Sequence, residues 1–448
     1  MSDYELAIIG AHLIDGLADA VQPESTVLIG RDGCIGAVGL AEAVPVPDDV
    51  PVLPAAGMTL LPGFVDSHQH VVWDKTLYSP RAVGEGHAGR PKSAERQLVR
   101  AGYHVQMALG AGVTTLRDCG ADDLSVLALR DAIDAGEFVG PRILACGRMI
   151  TTTAGHTYTD WGVDTAEELR KAVRQVASHG ADFVKIMVSG GTTSPGTNIS
   201  RAQYSLDELR TAVDDAHRLG LQVAGHAIST DSIRLAAQAG FDTIEHCSWI
   251  GGAEGGIVTD DDAVDFMLKN GVCVDHAIVP RPYLFPEEVG KEMTPEEKWW
   301  FDMLRTRWPF LHTMRRRGVR IILGTDAAYG AWPGTALWPG FQDLARAAEI
   351  AVRWAEFTPL DAIKMVTSEP AKALALDREV GTITVGKRAD MVLLTGDPLT
   401  DIRALRDVDL VFRDGRLVAE RGRVVLSGVR DEVAKPRGWE LPEAPQIS

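Results

Sequence analysis

The chain has 448 residues, 45% of them hydrophobic and 24% charged, with a net charge of −17. That length buries a large core without difficulty, and the acidic balance argues against partners with phosphate backbones or anionic lipid surfaces. Five scattered cysteines with no CxxC pair suit a reduced compartment better than a disulfide framework.

The N-terminus, MSDYELAIIG, is acidic where a secretory signal would be basic. No run approaches the roughly 18 consecutive apolar residues of a membrane helix. The expectation is a cytoplasmic protein. Residues 1–59 read as short strands punctuated by Gly, Asp and Pro, as in YELAIIGAHLI, STVLIG and CIGAVG.

The middle of the chain changes texture. Short apolar runs (TLLPGFVDSHQH, GVTTLRDCG, PRILACGRMIT, DFVKIMVSGG, LQVAGHAI, DTIEHCS, GVCVDHAI, RIILGTDA) alternate with segments of helical period. Among the latter are AERQLVRAGYHVQMALGAG, AEELRKAVRQVASHG, LDELRTAVDDAHRLG, TDSIRLAAQAG and DDAVDFMLKNG, several ending in Gly where a helix stops. About eight strand–helix repeats predict an α/β fold, a (β/α)₈ barrel over residues 60–375. A doubly wound open sheet is the alternative, but no GxGxxG joins a strand to a helix here. Residues 280–317 read as a helical insertion over the barrel mouth plus the helix leading to the last strand; their aromatics suit a core first, with a lid lining the substrate pocket as the alternative. Within the C-terminal segment 376–448, residues from about 380 to 425 return to the texture of the first 59, with GTITVG, ADMVLLTG and LVFRDGRLV.

Chemistry in such a barrel sits at the C-terminal ends of the strands. The first strand ends in Asp66-Ser67-His68-Gln69-His70. Histidines at i and i+2 on a strand point the same way and suit a transition metal, although surface or structural histidines also account for a lone HxH. Lys185 lies inside the apolar fourth strand, where a charge is costly unless paired. A buried carboxylate partner is one explanation and carbamylation by CO₂ another. His226, His246 and Asp326 follow the fifth, sixth and eighth runs. An ordered set on five strands is much harder to attribute to chance than any one member.

This set, with GMTLLPGFVDSHQH, GVTTLRD, KIMVSGG, GHA, IEHCS, LGTDA, TSEPAKALAL and GTITVGKRADMVLL, closely resembles the amidohydrolase superfamily, in its imidazolonepropionase and Xaa-Pro dipeptidase-like branch. The resemblance spans nearly the whole chain. It implies a (β/α)₈ barrel with a small β-sandwich built from both chain ends. It implies two divalent metal ions, zinc in the first instance. His68 and His70 would bind the more buried ion with Asp326, and His226 and His246 the more exposed one. A CO₂-derived carbamate on Lys185 would bridge them. The implied reaction is hydrolysis of a small-molecule amide, a dipeptide or N-acyl amino acid, by a metal-bridging hydroxide. Asp326 would shuttle the proton. Carbamates, ureas, other xenobiotic amides and cyclic amides form the alternative substrates, and a non-catalytic ligand-binding barrel is the reading from a different class.

Lesser positions stay open. His156 resembles a substrate-contacting position and could stabilise an oxyanion, or could simply pack. Tyr204 could reach substrate or belong to a helix cap. Trp73 could wall an apolar pocket or pack under a loop. Arg117 and Asp118 read as a structural ion pair, and Cys247 should point away from its neighbour His246. The expected partners are a small-molecule substrate and further copies of the same chain, with no nucleic acid and no membrane.

Overall fold

The computed structural model describes residues 2–18, 21–72, 94–158, 160–191, 194, 196–252, 256–277, 280, 284–290, 292–328 and 340–425. The chain opens with β1 (Tyr4–Leu13), β2 (Gln22–Gly30), β3 (Ile35–Leu40), β4 (Val52–Pro54) and β5 (Thr59–Pro62). After the single residue Gly63 it enters β6 (Phe64–Gln69), the first of a parallel series. The others are β7 (Val113–Asp118), β8 (Arg142–Ala145), β9 (Phe183–Met187), β10 (Gln222–Ser229) and β11 (Thr243–Gly251). A two-residue strand, β12 (Gly256–Ile257), folds back on β11, and β13 (Cys273–Asp275) and β14 (Ile321–Ile322) complete the series.

Helices alternate with these strands. They are α1 (Ala94–Gly110), α2 (Ser125–Asp134), α3 (Ala166–Ser178), α4 (Leu206–Arg218), α5 (Thr230–Ala239) and α6 (Asp261–Asn270). Then come α7 (Pro286–Val289), α8 (Pro295–Arg317), α9 (Leu344–Arg353), α10 (Pro359–Lys364) and α11 (Ser368–Ala373). The causes are local and legible. In α3, Leu169, Ala172, Val173 and Val176 are buried at i, i+3, i+4 and i+7. In α4, Leu209, Ala212, Val213 and Ala216 repeat the pattern. Both helices start on capping boxes, Thr165 with Glu168 and Ser205 with Glu208. α5, α6 and α8 stop at Gly240, Gly271 and Gly318, all left-handed.

The parallel strands pair in the orders β6-β7-β8 and β9-β10-β11-β13-β14. Two isolated parallel bridges lie between these groups, Ile150 with Ile186 and Gln69 with Ala327. The arrangement is α/β and of TIM-barrel type. Its outer strand faces pack against the helices in one large core that includes Leu116, Ile143, Val184, Val223 and Ile244. Its interior holds a smaller layer of Cys119, Cys146, Phe183 and Ala224.

The chain finishes in β15 (Met391–Leu394), β16 (Val408–Arg413), β17 (Arg416–Glu420) and β18 (Arg423–Val424). These join the N-terminal strands in one sheet, ordered β18-β17-β16-β15-β5-β1-β2-β3, with β4 beside β1. The junction of the two chain ends is the antiparallel pair β5–β15, Leu60 opposite Leu393 and Leu61 opposite Val392.

Residues 280–317 contain α7 and α8, a 23-residue helix begun by a capping box at Thr294. Phe301, Trp308 and Leu311 of α8 are buried in the main core, while Trp299 is exposed. Among the described residues, no helix is long and apolar enough to cross a membrane.

Candidate metal centre

The strand ends bring the expected residues into one cluster. Nε2 of His68 and Nε2 of His70 lie 3.6 and 3.5 Å from the same oxygen, Oδ1 of Asp326. One ligand atom from each of the three residues falls within 4.8 Å of the others. The imidazoles continue as a chain of close rings: His68 to His246 at 5.2 Å between centroids, His246 to His226 at 4.6 Å, and His226 to His156 at 4.4 Å. Lys185 points into the same space from β9. It is 1% exposed, and its Nζ has no hydrogen-bond partner among the described residues. Its charge contributes to lowering the pKa of His68, His226 and His246.

Burial dominates the electrostatics. It depresses His246 to about 3 and takes His226 well below the usual imidazole range, with His156 and His246 adding to the effect on His226. Burial also lowers His68, aided by Lys185. All three rings are therefore neutral near pH 7 and offer a lone pair, the state a metal ion requires.

Backbone geometry explains how two neighbours on β11 serve one site. On a regular strand Glu245 and His246 face opposite sides. His246 is left-handed at φ 65°, and Cys247 follows at φ 45°. The break turns His246 inward, while Glu245 still reaches His68, Oε2 to Nδ1 at 2.9 Å. Asp326 is left-handed too, at φ 49°, held by its N–H to the carbonyl of His68 at 2.8 Å. Such conformations cost of order 1–3 kcal/mol each and persist where surrounding structure imposes them. Gly324 makes the close approach of these two segments feasible: a Cβ there would lie 2.5 Å from Cβ of His68.

A buried polar layer supports the imidazoles, and nothing in the strand-end pattern points to it. Asp66 accepts from the His68 N–H, from Gln69 and from Thr325, whose hydroxyl is 2.8 Å away. Burial still lifts Asp66 to about 6. Asp118 accepts from the backbone of Val71 and Gly120 at 2.7 and 2.9 Å, and burial lifts it to about 7. Gly120 in turn offers its carbonyl to Nδ1 of His70 at 2.7 Å. Burial drives Glu245 upward, but Arg117, Lys185 and His68 outweigh it and hold the carboxyl well below its usual range. Each of these acids stands one or two places from a histidine or an arginine in the chain, which is the only local signal they give.

One expectation needs correction. Arg117 does not pair with Asp118. Adjacent strand residues face opposite ways, and Arg117 turns to Glu245 and Asp275, at 2.7 and 3.2 Å. Tyr204 is buried and donates its hydroxyl to the carbonyl of Val163 at 2.9 Å. It stands immediately before Ser205, the N-cap of α4, in the capping context that its position suggests. His276, just after β13, is fully buried with Nδ1 3.3 Å from the His246 carbonyl. His156 does lie beside His226, its Nδ1 2.9 Å from the Ser194 hydroxyl. Cys247 is buried in the helix-facing core. Trp73 lies outside the described residues.

A TIM-type barrel whose strand ends gather neutral imidazoles, a carboxylate and a buried amine is the framework of a metal-binding hydrolase. The match to the Amidohydrolase family over residues 59–418 makes this chain a member of that family. Ochratoxinase of Aspergillus niger is 28% identical over 393 residues, covering 80% of this chain and 75% of its own. Imidazolonepropionase of Shewanella frigidimarina (strain NCIMB 400) is 23% identical over 447 residues, covering 90% and 94%. The crystal structure of a Xaa-Pro dipeptidase with bound methionine superposes with a TM-score of 0.78 at 28% identity, over 92% of this chain and 99% of that one. The chain is thus an enzyme that hydrolyses amide carbon–nitrogen bonds, in the branch its motifs indicated.

Proposed function

We propose that this enzyme cleaves the amide bond of a dipeptide or an N-acyl amino acid, with two divalent metal ions, zinc in the first instance. The observation that carries the reading is the convergence of His68 and His70 on one oxygen of Asp326, beside the unpartnered amine of Lys185. The donor set fits the metals. His68, His70 and Asp326 would hold one ion and His226 and His246 the other. Lys185, carbamylated, would bridge them, which gives its orphaned nitrogen a role. Bound metal supplies Lewis acidity and a lowered pKa for water.

The protein's own groups do the rest. Asp326 would accept a proton from the attacking water and return it to the departing nitrogen. His156 would donate a hydrogen bond to the oxygen of the scissile carbonyl as charge develops there. The dipeptide reading leans on the similarity to a Xaa-Pro dipeptidase structure.

On this reading the barrel, expected over residues 60–375, starts at β6 after Gly63 and is closed through the Ile150–Ile186 and Gln69–Ala327 bridges. The strands β1–β5 and the described part of 376–448 form a β-sandwich beside it. The enzyme works in the cytoplasm as a homo-oligomer on a small-molecule substrate, and its net charge of −17 opposes nucleic acid and anionic membranes as partners. The test is metal analysis of protein purified with zinc and bicarbonate, followed by a screen of dipeptides, N-acyl amino acids, aryl carbamates and ureas. Cleavage of the first two groups supports the proposal. Turnover confined to carbamates or ureas moves the substrate to the xenobiotic class. Metal-free protein with no turnover returns the barrel to a binding role.

A further inference from the structure

Beneath the ligand cluster, Arg117, Glu245 and His68 form a buried line of contacts, each residue 2% exposed or less. We infer that Glu245 is a positioning residue for the metal centre: it fixes the proton of His68 on Nδ1 and so aims the Nε2 lone pair at the ligand cluster. The inference rests on the metal-centre reading above.

A neutral imidazole carries one N–H and one lone pair, and the partner of one nitrogen decides which is which. Oε2 of Glu245 lies 2.9 Å from Nδ1 of His68, a charge contact off the line of an aligned hydrogen bond. An ionised carboxylate can only accept and repels a lone pair, so this approach favours the tautomer with its proton on Nδ1. The lone pair is then on Nε2, the nitrogen 3.6 Å from Asp326. His70 reaches the same state differently, through the carbonyl of Gly120 at 2.7 Å from its Nδ1. A carbonyl is a neutral acceptor, whereas a carboxylate also pushes electron density into the ring and makes it a stronger ligand. The two histidines of the HxH pair are therefore unequal, and His68 is the stronger donor.

Arg117 keeps the carboxylate charged and still. Its Nη2 donates to Oε1 of Glu245 at 2.7 Å and to Asp275 at 3.2 Å, its Nη1 to Thr243 at 3.0 Å, and its Nε to the carbonyl of Ser67 at 2.7 Å. Thr243 donates its hydroxyl to the same Glu245 oxygen at 2.8 Å. Ser67 immediately precedes His68, so one guanidinium holds both the acceptor on β11 and the strand that carries the imidazole. Phe183 closes the far side, its ring centroid 5.2 Å from the guanidinium carbon.

A purely architectural ion pair predicts a different outcome from a positioning role. In the full chain, Glu245→Gln keeps the side-chain shape but removes the anion. Zinc affinity is measured by competition with a chromophoric chelator, alongside thermal unfolding of the metal-free protein. The expected result is zinc binding weaker by about 10–100-fold, the usual cost of removing an outer-shell partner. In a His68→Ala background the same change should have no further effect on the remaining affinity, because the contact it acts through is gone. If Glu245→Gln does not fold, Glu245→Asp retains the charge and withdraws the acceptor by one methylene, and is likewise expected to weaken zinc. Unchanged zinc affinity in either folded variant, even with a lowered unfolding temperature, overturns the positioning role and leaves the metal centre standing. A wild-type chain that binds no zinc overturns both.

Discussion

Replacing Asp326 by Asn separates catalysis from architecture in this enzyme. The residue sits at φ 49°, a left-handed conformation that Asn tolerates nearly as well as Asp, and its backbone bond to the His68 carbonyl does not involve the side chain. The fold should therefore survive. The side chain is 19% exposed, open enough to meet a water from the barrel mouth. Asparagine retains one oxygen able to face His68 and His70, but its amide is no base near neutral pH. General-base help is worth about 10²–10⁴ in rate, or about 3–5 kcal/mol of barrier. Asp326→Asn is expected to keep its thermal unfolding profile and much of its metal while losing turnover by at least about a hundredfold. Turnover, metal content and unfolding are measured on the same preparation. Near-normal turnover refutes the general-base role. Loss of metal together with turnover reduces Asp326 to a ligand.

Removing a ring from the cluster, in His68→Ala, His226→Ala or His246→Ala, should lower metal content and activity together. Full metal occupancy with normal turnover in any variant removes that residue from the site. Lys185→Ala should abolish activity, and a short carboxylic acid added from solution should restore part of it by supplying the missing bridge; a high-resolution map with a plain amine, from protein prepared with bicarbonate, refutes the carbamate. Gly324→Ala places a methyl 2.5 Å from Cβ and 2.8 Å from the backbone nitrogen of His68, neither of which can move freely. It should cost about 1–3 kcal/mol of stability and reduce zinc affinity, checked by calorimetry and chelator competition; wild-type values for both would show that the β6 segment yields easily.

Local chemistry in the chain determined the helices and the ligand types. Capping boxes at Thr165 and Ser205, apolar residues at i, i+3, i+4 and i+7, and glycines at helix ends act within a few residues, so α3, α4, α5 and α6 are legible in the amino-acid sequence alone. The helix over Ser125–Asp134 signals itself less clearly, for it has no side-chain cap. Strand-end positions of His68, His70, Lys185, His226, His246 and Asp326 are legible through the apolar runs that carry them. What only the tertiary structure decided is who touches whom among the buried charges. Arg117 and Glu245 are 128 positions apart and meet at 2.7 Å, while Arg117 and its neighbour Asp118 are driven apart by strand alternation. His246 reaches the cluster only because its backbone turns left-handed, a state imposed by surrounding packing rather than by its own residue type. Sequence proximity carries information about periodicity and caps, whereas a low-dielectric interior selects charge partners by distance in space.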